Sequence, residues 1–307
     1  MTVDSSRLLV EGPWRHELVA ANGSRFHVAL SGPDEHDTPL VVLLHGFPQM
    51  WWAWRHQIPV LADAGYWVAA MDLRGTGASD KPPIGYDVPM LARDVAGVVR
   101  SLGARRAVVV GHGTGGEIAW ATAATQPTAV RAVAALAAPH PYLVRTRPTR
   151  VLTSRTARHL AFVQLPSFPE RAFVRRGRAR RVLTEWAGRS VHDEAALELY
   201  DAAMQVPFAA HSTMERQRWQ VRSVPRFDGR RYTSALRETL TVPALQVHGR
   251  TDVVVPVQRA RPEGPAVAAV GDRYRFAVVE AGHFLHEENP GAVNDVLLDW
   301  LGEVAPA

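Results

Sequence analysis

Short runs of Val, Leu and Ala alternate along the chain with segments whose apolar residues recur at helical spacing. PLVVLLHG (Pro39–Gly46) precedes MWWAWRHQIPVLADAG (Met50–Gly65), and YWVAAMDLRG (Tyr66–Gly75) precedes MLARDVAGVVRSLG (Met90–Gly103). RAVVVGHG (Arg106–Gly113) precedes GEIAWATAATQ (Gly116–Gln126), and RAVAALAAP (Arg131–Pro139) follows. Strands without polar alternation bury both faces, so these runs predict a mostly parallel sheet with helices on either side. Ahead of them, WRHELVAANGSRFHVALSG (Trp14–Gly32) reads as a hairpin, with Asn22 and Gly23 supplying the positive φ angles of a type I′ turn. The rhythm breaks from about Pro141 to Ser234, where the sequence is helical, arginine-rich and punctuated by prolines. It resumes at VPALQVHGR (Val242–Arg250), RYRFAVVEAG (Arg273–Gly282) and a last helix, GAVNDVLLDWLGEV (Gly291–Val304). The late strands need the early ones as partners, so one sheet interrupted by an insertion is expected: a core of residues 1–140 and 235–307, and a helical insertion over 141–234.

Composition narrows the class. At 307 residues and 47% apolar content the chain can bury a large α/β core. The opening MTVDSSRLLVEGPW lacks an apolar run behind a basic start, and no later segment approaches the ~20 apolar residues that span a bilayer. No secretory signal and no membrane insertion are expected. The absence of cysteine excludes disulfides and thiolate chemistry and fits a cytoplasmic setting. Charge is uneven: residues 142–232 hold 18 Arg against 8 acidic residues, and RAFVRRGRARRVL (Arg171–Leu183) packs six arginines. No aromatic interleaving or nucleic-acid motif accompanies that run, so it reads as a solvated helix face and no nucleic-acid partner is expected. Histidines lack ligand spacing, and no metal site is expected.

The chemistry centres on AVVVGHGTGGEIAW (Ala107–Trp120), a strand, a glycine turn and a helix. GHGTGG satisfies G-x-G-x-x-G with Gly111, Gly113 and Gly116, the dinucleotide fingerprint in its proper context. Its acidic partner, due about 20 residues on, is missing, since no Asp or Glu occurs from Ile118 to Pro169. The turn matches better a nucleophile elbow, small-x-nucleophile-x-small.

Here the chain resembles the α/β-hydrolase family over nearly its whole length. HGFPQMWWAWRHQ (His45–Gln57), DLRGTGASDKP (Asp72–Pro82), VGHGTGG (Val110–Gly116), HGRTDVVVP (His248–Pro256) and AGHFLHEENP (Ala281–Pro290) stand in family order. HGFP followed by W-x-W-R-H-Q is most similar to the epoxide hydrolase branch, which carries a helical cap after its sixth strand. The resemblance implies an α/β-hydrolase fold with an eight-stranded sheet and that cap. It implies Asp252 as the triad acid, His283 as the triad histidine, and the amides of Phe47 and Thr114 as the oxyanion hole. The pocket wall is assigned to His45, Pro48, Trp51, Tyr142, Tyr200 and Gln217. Met50, Trp51, Trp52 and Trp54 lie on the helix expected after HGFP, where Trp51 and Trp54 share a face; most of the four are expected in the core, with one or two lining the pocket.

Three departures follow from the same comparison. Epoxide hydrolases place Asp, and esterases Ser, where this chain has Gly113, and the branch has Trp where it has Thr114. A cap tyrosine is replaced by Gln217 in MERQRW (Met214–Trp219), leaving Tyr142 and Tyr200 as candidate proton donors. Glycine has no atom with which to form a covalent ester. The expectation is an epoxide hydrolase-like protein without covalent hydrolase activity, which binds a small apolar, epoxide- or ester-like molecule and needs no cofactor. Two alternatives stay open: a hydrolase, lyase or cofactor-free enzyme using a His283–Asp252 base, and an ordinary epoxide hydrolase whose nucleophile was deliberately replaced. A homodimer is also left open.

Overall fold

The computed structural model describes residues 3–35, 37–175, 177–188 and 193–307. β1 (Arg15–Ala21) and β2 (Ser24–Ser31) form the predicted hairpin, with Asn22 and Gly23 at φ 47° and 72°. β3 (Leu40–Leu44), β4 (Trp67–Met71), β5 (Ala107–His112), β6 (Val130–Leu136), β7 (Ala244–Gly249) and β8 (Tyr274–Val279) complete one eight-stranded sheet. Its order is β1-β2-β4-β3-β5-β6-β7-β8; the β1–β2 and β2–β4 pairs are antiparallel and the rest parallel.

Helices α1 (Ile58–Asp63), α2 (Val88–Ser101) and α3 (Thr114–Thr125) follow β3, β4 and β5 in turn. Between β6 and β7 the described residues are helical and contain no strand. That segment holds α4 (Pro141–Thr146), α5 (Pro148–Val151), α6 (Ser154–Val163), α7 (Phe168–Val174), α8 (Arg178–Trp186), α9 (Glu194–Gln205), α10 (Ala209–Arg222) and α11 (Phe227–Ala235). Prolines open α4 and α5 at their first positions, where the missing N–H has no intrahelical acceptor to lose. After β7 come α12 (Val257–Ala260) and α13 (Pro265–Ala269), and after β8 come α14 (Leu285–Glu288) and α15 (Pro290–Val304).

The unbroken apolar strands serve two cores. Along β3, Val41 and Leu43 join one hydrophobic cluster while Leu40, Val42 and Leu44 join the other, and all five are buried. Ile58 and Leu61 of α1 and Leu297 and Leu301 of α15 cover the first face; Leu91, Val95 and Val98 of α2 and Ile118 of α3 cover the second. Asp87 caps α2 by accepting from the Met90 amide at 2.8 Å.

The arginine run is partly absorbed by the fold. α8 buries Ala179, Val182, Leu183 and Trp186 and turns Arg180 and Arg181 outward to pair with Glu194 and Glu185. Arg178 stacks over the rings of Phe162 and Phe173; Arg176 lies outside the described residues. No described helix is long and apolar enough to cross a membrane.

Candidate active site

The parallel strands deliver their loops to one edge of the sheet, where open α/β sheets build their sites. β5 ends at His112, α3 begins at Thr114, and Gly113 joins them with φ 51° and ψ −114°. The surrounding glycines are demanded by close packing. A Cβ on Gly111 would lie 2.2 Å from the Gly115 carbonyl oxygen, one on Gly115 2.2 Å from that of Leu44, and one on Gly116 2.4 Å from the Ala138 methyl. These contacts let α3 start hard against β3 and β5. Gly113 is different. A Cβ there would meet His283 Nε2 at 3.7 Å and Gly46 Cα at 3.9 Å, both ordinary contacts, so the position favours glycine through its backbone and not through lack of room.

The loop after β7 supplies Asp252 and the loop after β8 supplies His283. His283 Nδ1 lies 2.9 Å from Asp252 Oδ2, with both side chains buried. Asp252 Oδ1 accepts from the amides of Val254 at 2.7 Å and Val255 at 2.9 Å, which fixes the carboxylate in place beside the ring. The His283 carbonyl in turn accepts from His112 Nε2 at 2.9 Å, tying the loop to the end of β5. Burial, reinforced by the neighbouring His286 and His283, holds the His112 imidazole well below the usual histidine range, so it acts as a neutral donor. His283 Nε2 makes no hydrogen bond among the described residues. The amides of Phe47 and Thr114 likewise make none among the described residues.

A second carboxylate–imidazole pair shows what a structural dyad looks like in this fold. His27 Nδ1 lies 2.9 Å from Asp72 Oδ2, and Asp72 also accepts from the Trp51 and Ala78 amides at 3.0 Å each. Both side chains are sealed. Burial pushes the Asp72 carboxyl up, but the bond and charge of His27, the His45 ring and the Trp51 amide together hold it below its usual range. Asp252 and His283 share that distance, but the His283 ring opens onto space.

That space is a cavity of about 680 Å³ between the sheet edge and the helical segment. Phe47, Gly113, Thr114, Gln217 and His283 line it, with Asp252 behind His283. His45, Pro48, Trp51, Tyr142 and Tyr200, expected on its wall, do not. His45 is a loop clamp: its Nδ1 donates to the Gly46 carbonyl at 2.9 Å and its Nε2 accepts from the Leu73 amide at 3.2 Å, with burial lowering it to about 4. Pro48 is buried in the loop after β3. Trp51 begins a single 3-10 turn, Trp51–Trp54, and its Nε1 donates to the Leu8 carbonyl at 3.0 Å. Trp52 and Trp54 stay off the wall as well. Tyr142 packs half-buried against both cores. Tyr200 is fully buried and donates to Glu287 Oε1 at 2.8 Å; burial and the Glu287 charge raise it well above the usual phenol range.

Several wall residues, among them Glu117, Arg145, His159, Trp186 and Gln220, are marked by no motif. Glu117, on the first turn of α3, puts its carboxyl on the cavity wall and accepts from Gln220 Nε2. Burial pushes that carboxyl above its usual range although Gln220, Arg145 and Arg216 oppose the shift. Its signal was present: Glu117 is the sole acid between Asp94 and Glu170. Elsewhere, Glu170, His211 and Glu215 bring three ligand atoms within 4.8 Å of one another. Arg218 Nη1 bonds both carboxylates, so an ion pair already accounts for the cluster.

Residues 39–290 match the α/β-hydrolase fold family. The chain belongs to that family, in its epoxide hydrolase-like branch. It is similar to the AB hydrolase superfamily protein YfhM of Bacillus subtilis, 32% identical over 93% of this chain and 97% of that protein. Epoxide hydrolase A of Mycobacterium tuberculosis is 31% identical over 92% of this chain and 96% of its own length. The crystal structure of epoxide hydrolase A from Mycobacterium thermoresistibile superposes with a TM-score of 0.79 at 28% identity, covering 96% of this chain and all of that one (100%).

Proposed function

We propose that this protein keeps the acid, the imidazole and the amide donors of an epoxide hydrolase site, lacks the attacking atom, and binds a small apolar molecule as a receptor, carrier or scaffold. Helices α4–α11 serve as the cap over that molecule. The observation that carries the reading is the turn itself: at the point 3.7 Å from His283 Nε2 where a side chain would begin, the chain has Gly113. Epoxide hydrolysis through a covalent ester needs a carboxylate oxygen to attack the ring carbon, after which water freed of a proton by histidine cleaves the ester. Nothing else stands in. Thr114 lines the cavity but makes no hydrogen bond to His283, and His112 is turned away into its bond with the His283 carbonyl. A largely apolar wall and a volume inside the ~300–1,000 Å³ range of small-molecule sites support the ligand-binding half of the reading.

Incubating the purified protein with styrene oxide and stilbene oxide, then measuring diol and intact mass, tests the proposal. The expected result is no ester adduct and no turnover above buffer. Epoxide turnover abolished by His283→Ala would refute it.

A second reading rests on a separate observation, the unpartnered His283 Nε2 facing the cavity with two unused amides nearby. In that reading His283, oriented by Asp252, deprotonates a substrate or a water without a covalent step, and such bases contribute about 10²–10⁴ in rate. An activity untouched by His283→Ala excludes it.

A further inference from the structure

The point at which a side chain would leave Gly113 faces the cavity, 3.7 Å from His283 Nε2 and 3.9 Å from Gly46 Cα. Hydrogen-bonding groups without partners flank it. Thr114, the next residue, opens the 12-residue helix α3, and its N–H makes no hydrogen bond among the described residues. The free N–H groups of a helix's first turn attract anions. His283 is 5% exposed and lines the cavity; its Nε2 is unbonded among the described residues and is not sealed from solvent. The other ring nitrogen, Nδ1, lies 2.9 Å from Asp252 Oδ2. With the Nδ1 proton given to that carboxylate, Nε2 carries a proton only when the ring is charged. An acid placed against Nε2 therefore shares one proton with the ring.

The remaining charges are engaged elsewhere. The titratable groups set about the ring are Asp252 from the loop after β7, His112 at the end of β5 and His248 on β7. Burial keeps the two other imidazoles neutral, and the Asp252 carboxylate is held by the Val254 and Val255 amides and by the ring itself. Glu117, the one acid on the wall among the described residues, accepts from Gln220 Nε2 on α10. Arg145, the one arginine on the wall among the described residues, directs its donors to the oxygens of Thr233, Ser223, Gly229 and Gln220. It is thus already committed.

We infer that the guest of this cavity is a carboxylic acid with an apolar tail, whose carboxyl group takes the place of the missing side chain between His283 Nε2 and the Thr114 amide. This rests on the cavity being a ligand site, as proposed above. One carboxyl oxygen shares its proton with Nε2, the group accepts from the Thr114 N–H, and the tail lies against apolar wall residues such as Val144, Leu152 and Leu160. The guest thereby supplies from outside the carboxylate that an aspartate at position 113 would supply from within the chain. Hydrogen bonds to a charged group are the strong ones, so the acid is preferred over a neutral molecule of the same size.

The test titrates octanoate and octanamide into the full chain by calorimetry at about pH 7.5, in two buffers of different ionisation enthalpy. Octanoate should bind at least about tenfold more tightly, a difference of about 1.4 kcal/mol. Its binding should take up a proton, read as a buffer-dependent heat, and that of octanamide should not. His283→Ala should weaken octanoate about 13–160-fold, the span for one hydrogen bond to a charged group, and abolish the uptake. Gly113→Asp should reverse the order of the two probes, because its own carboxylate fills the place and repels a second; the octanamide it still binds shows that the variant is folded. If that variant misfolds, His283→Ala and the proton uptake decide. A preference for octanamide in the unaltered chain overturns the inference, and so does octanoate binding without proton uptake. An octanoate preference that survives Gly113→Asp sets the acid elsewhere on the wall and also overturns it. Equal affinities, unmoved by either variant, overturn it while leaving the cavity a ligand site. Failure of both probes to bind overturns both readings.

Discussion

Replacing Gly113 with aspartate separates the two reasons a glycine can stand at this turn. Space is not the obstacle, since the nearest atoms to a new Cβ are His283 Nε2 at 3.7 Å and Gly46 Cα at 3.9 Å. The backbone is, because φ 51° with ψ −114° lies where side-chain-bearing residues are rare. Holding a residue there costs about 1–3 kcal/mol. At roughly 2–4 °C per kcal/mol, the figure for domains of 150–250 residues, the thermal midpoint should fall by about 2–12 °C. Gly113→Ala should fall by a similar amount, because it carries the same backbone cost without the carboxylate. In return, the aspartate places an oxygen beside the imidazole that Asp252 orients. Thermal unfolding of both variants, with intact-mass analysis after quenching an epoxide incubation in denaturant, reads the two effects independently. The expected result is an ester on residue 113 in Gly113→Asp alone, accumulating further when His283→Ala is added. An unchanged or raised midpoint would refute the backbone argument. An ester on any other residue would refute the assignment of the turn.

Three further outcomes follow from the buried groups. Burial lowers His45 and His248 to about 4 and His140 to about 3, so these rings stay neutral in the fold while the unfolded chain protonates near pH 6.5. The unfolded state then binds more protons, and the urea midpoint should drop steadily from about pH 6.5 towards pH 4; a flat profile would contradict this. Glu117 has the opposite sign: its folded carboxyl holds a proton more tightly than the unfolded one, so its contribution worsens as pH rises through the folded value. Glu117→Gln should therefore stabilise the protein near pH 8 and do little near pH 4, as urea unfolding at the two pH values would register. Tyr200→Phe removes the bond to Glu287 and should cost about 1–3 kcal/mol in chemical denaturation while leaving ligand affinity unchanged, since the hydroxyl is off the cavity wall.

Much of the architecture is legible from the order of residues. Apolar runs such as LVVLL and AVVVGH become buried strands because successive side chains point to opposite faces, so an unbroken apolar run needs cover on both. Asn22–Gly23 makes its turn through its own backbone preference. The resemblance to α/β-hydrolases also implies that Gly113, Asp252 and His283 meet, and in the fold each follows the end of a parallel strand at one edge of the sheet. The cavity wall was not legible. Trp51 and Tyr200 are as aromatic as Trp186, yet the packing of the helical segment over the sheet turns the first two into the core and the third onto the cavity. Glu117 acquires its meaning from Gln220, 103 residues further along. Local periodicity encodes which way a side chain leaves its own element; what it then faces depends on how elements remote in sequence pack, and that is decided by the tertiary structure alone.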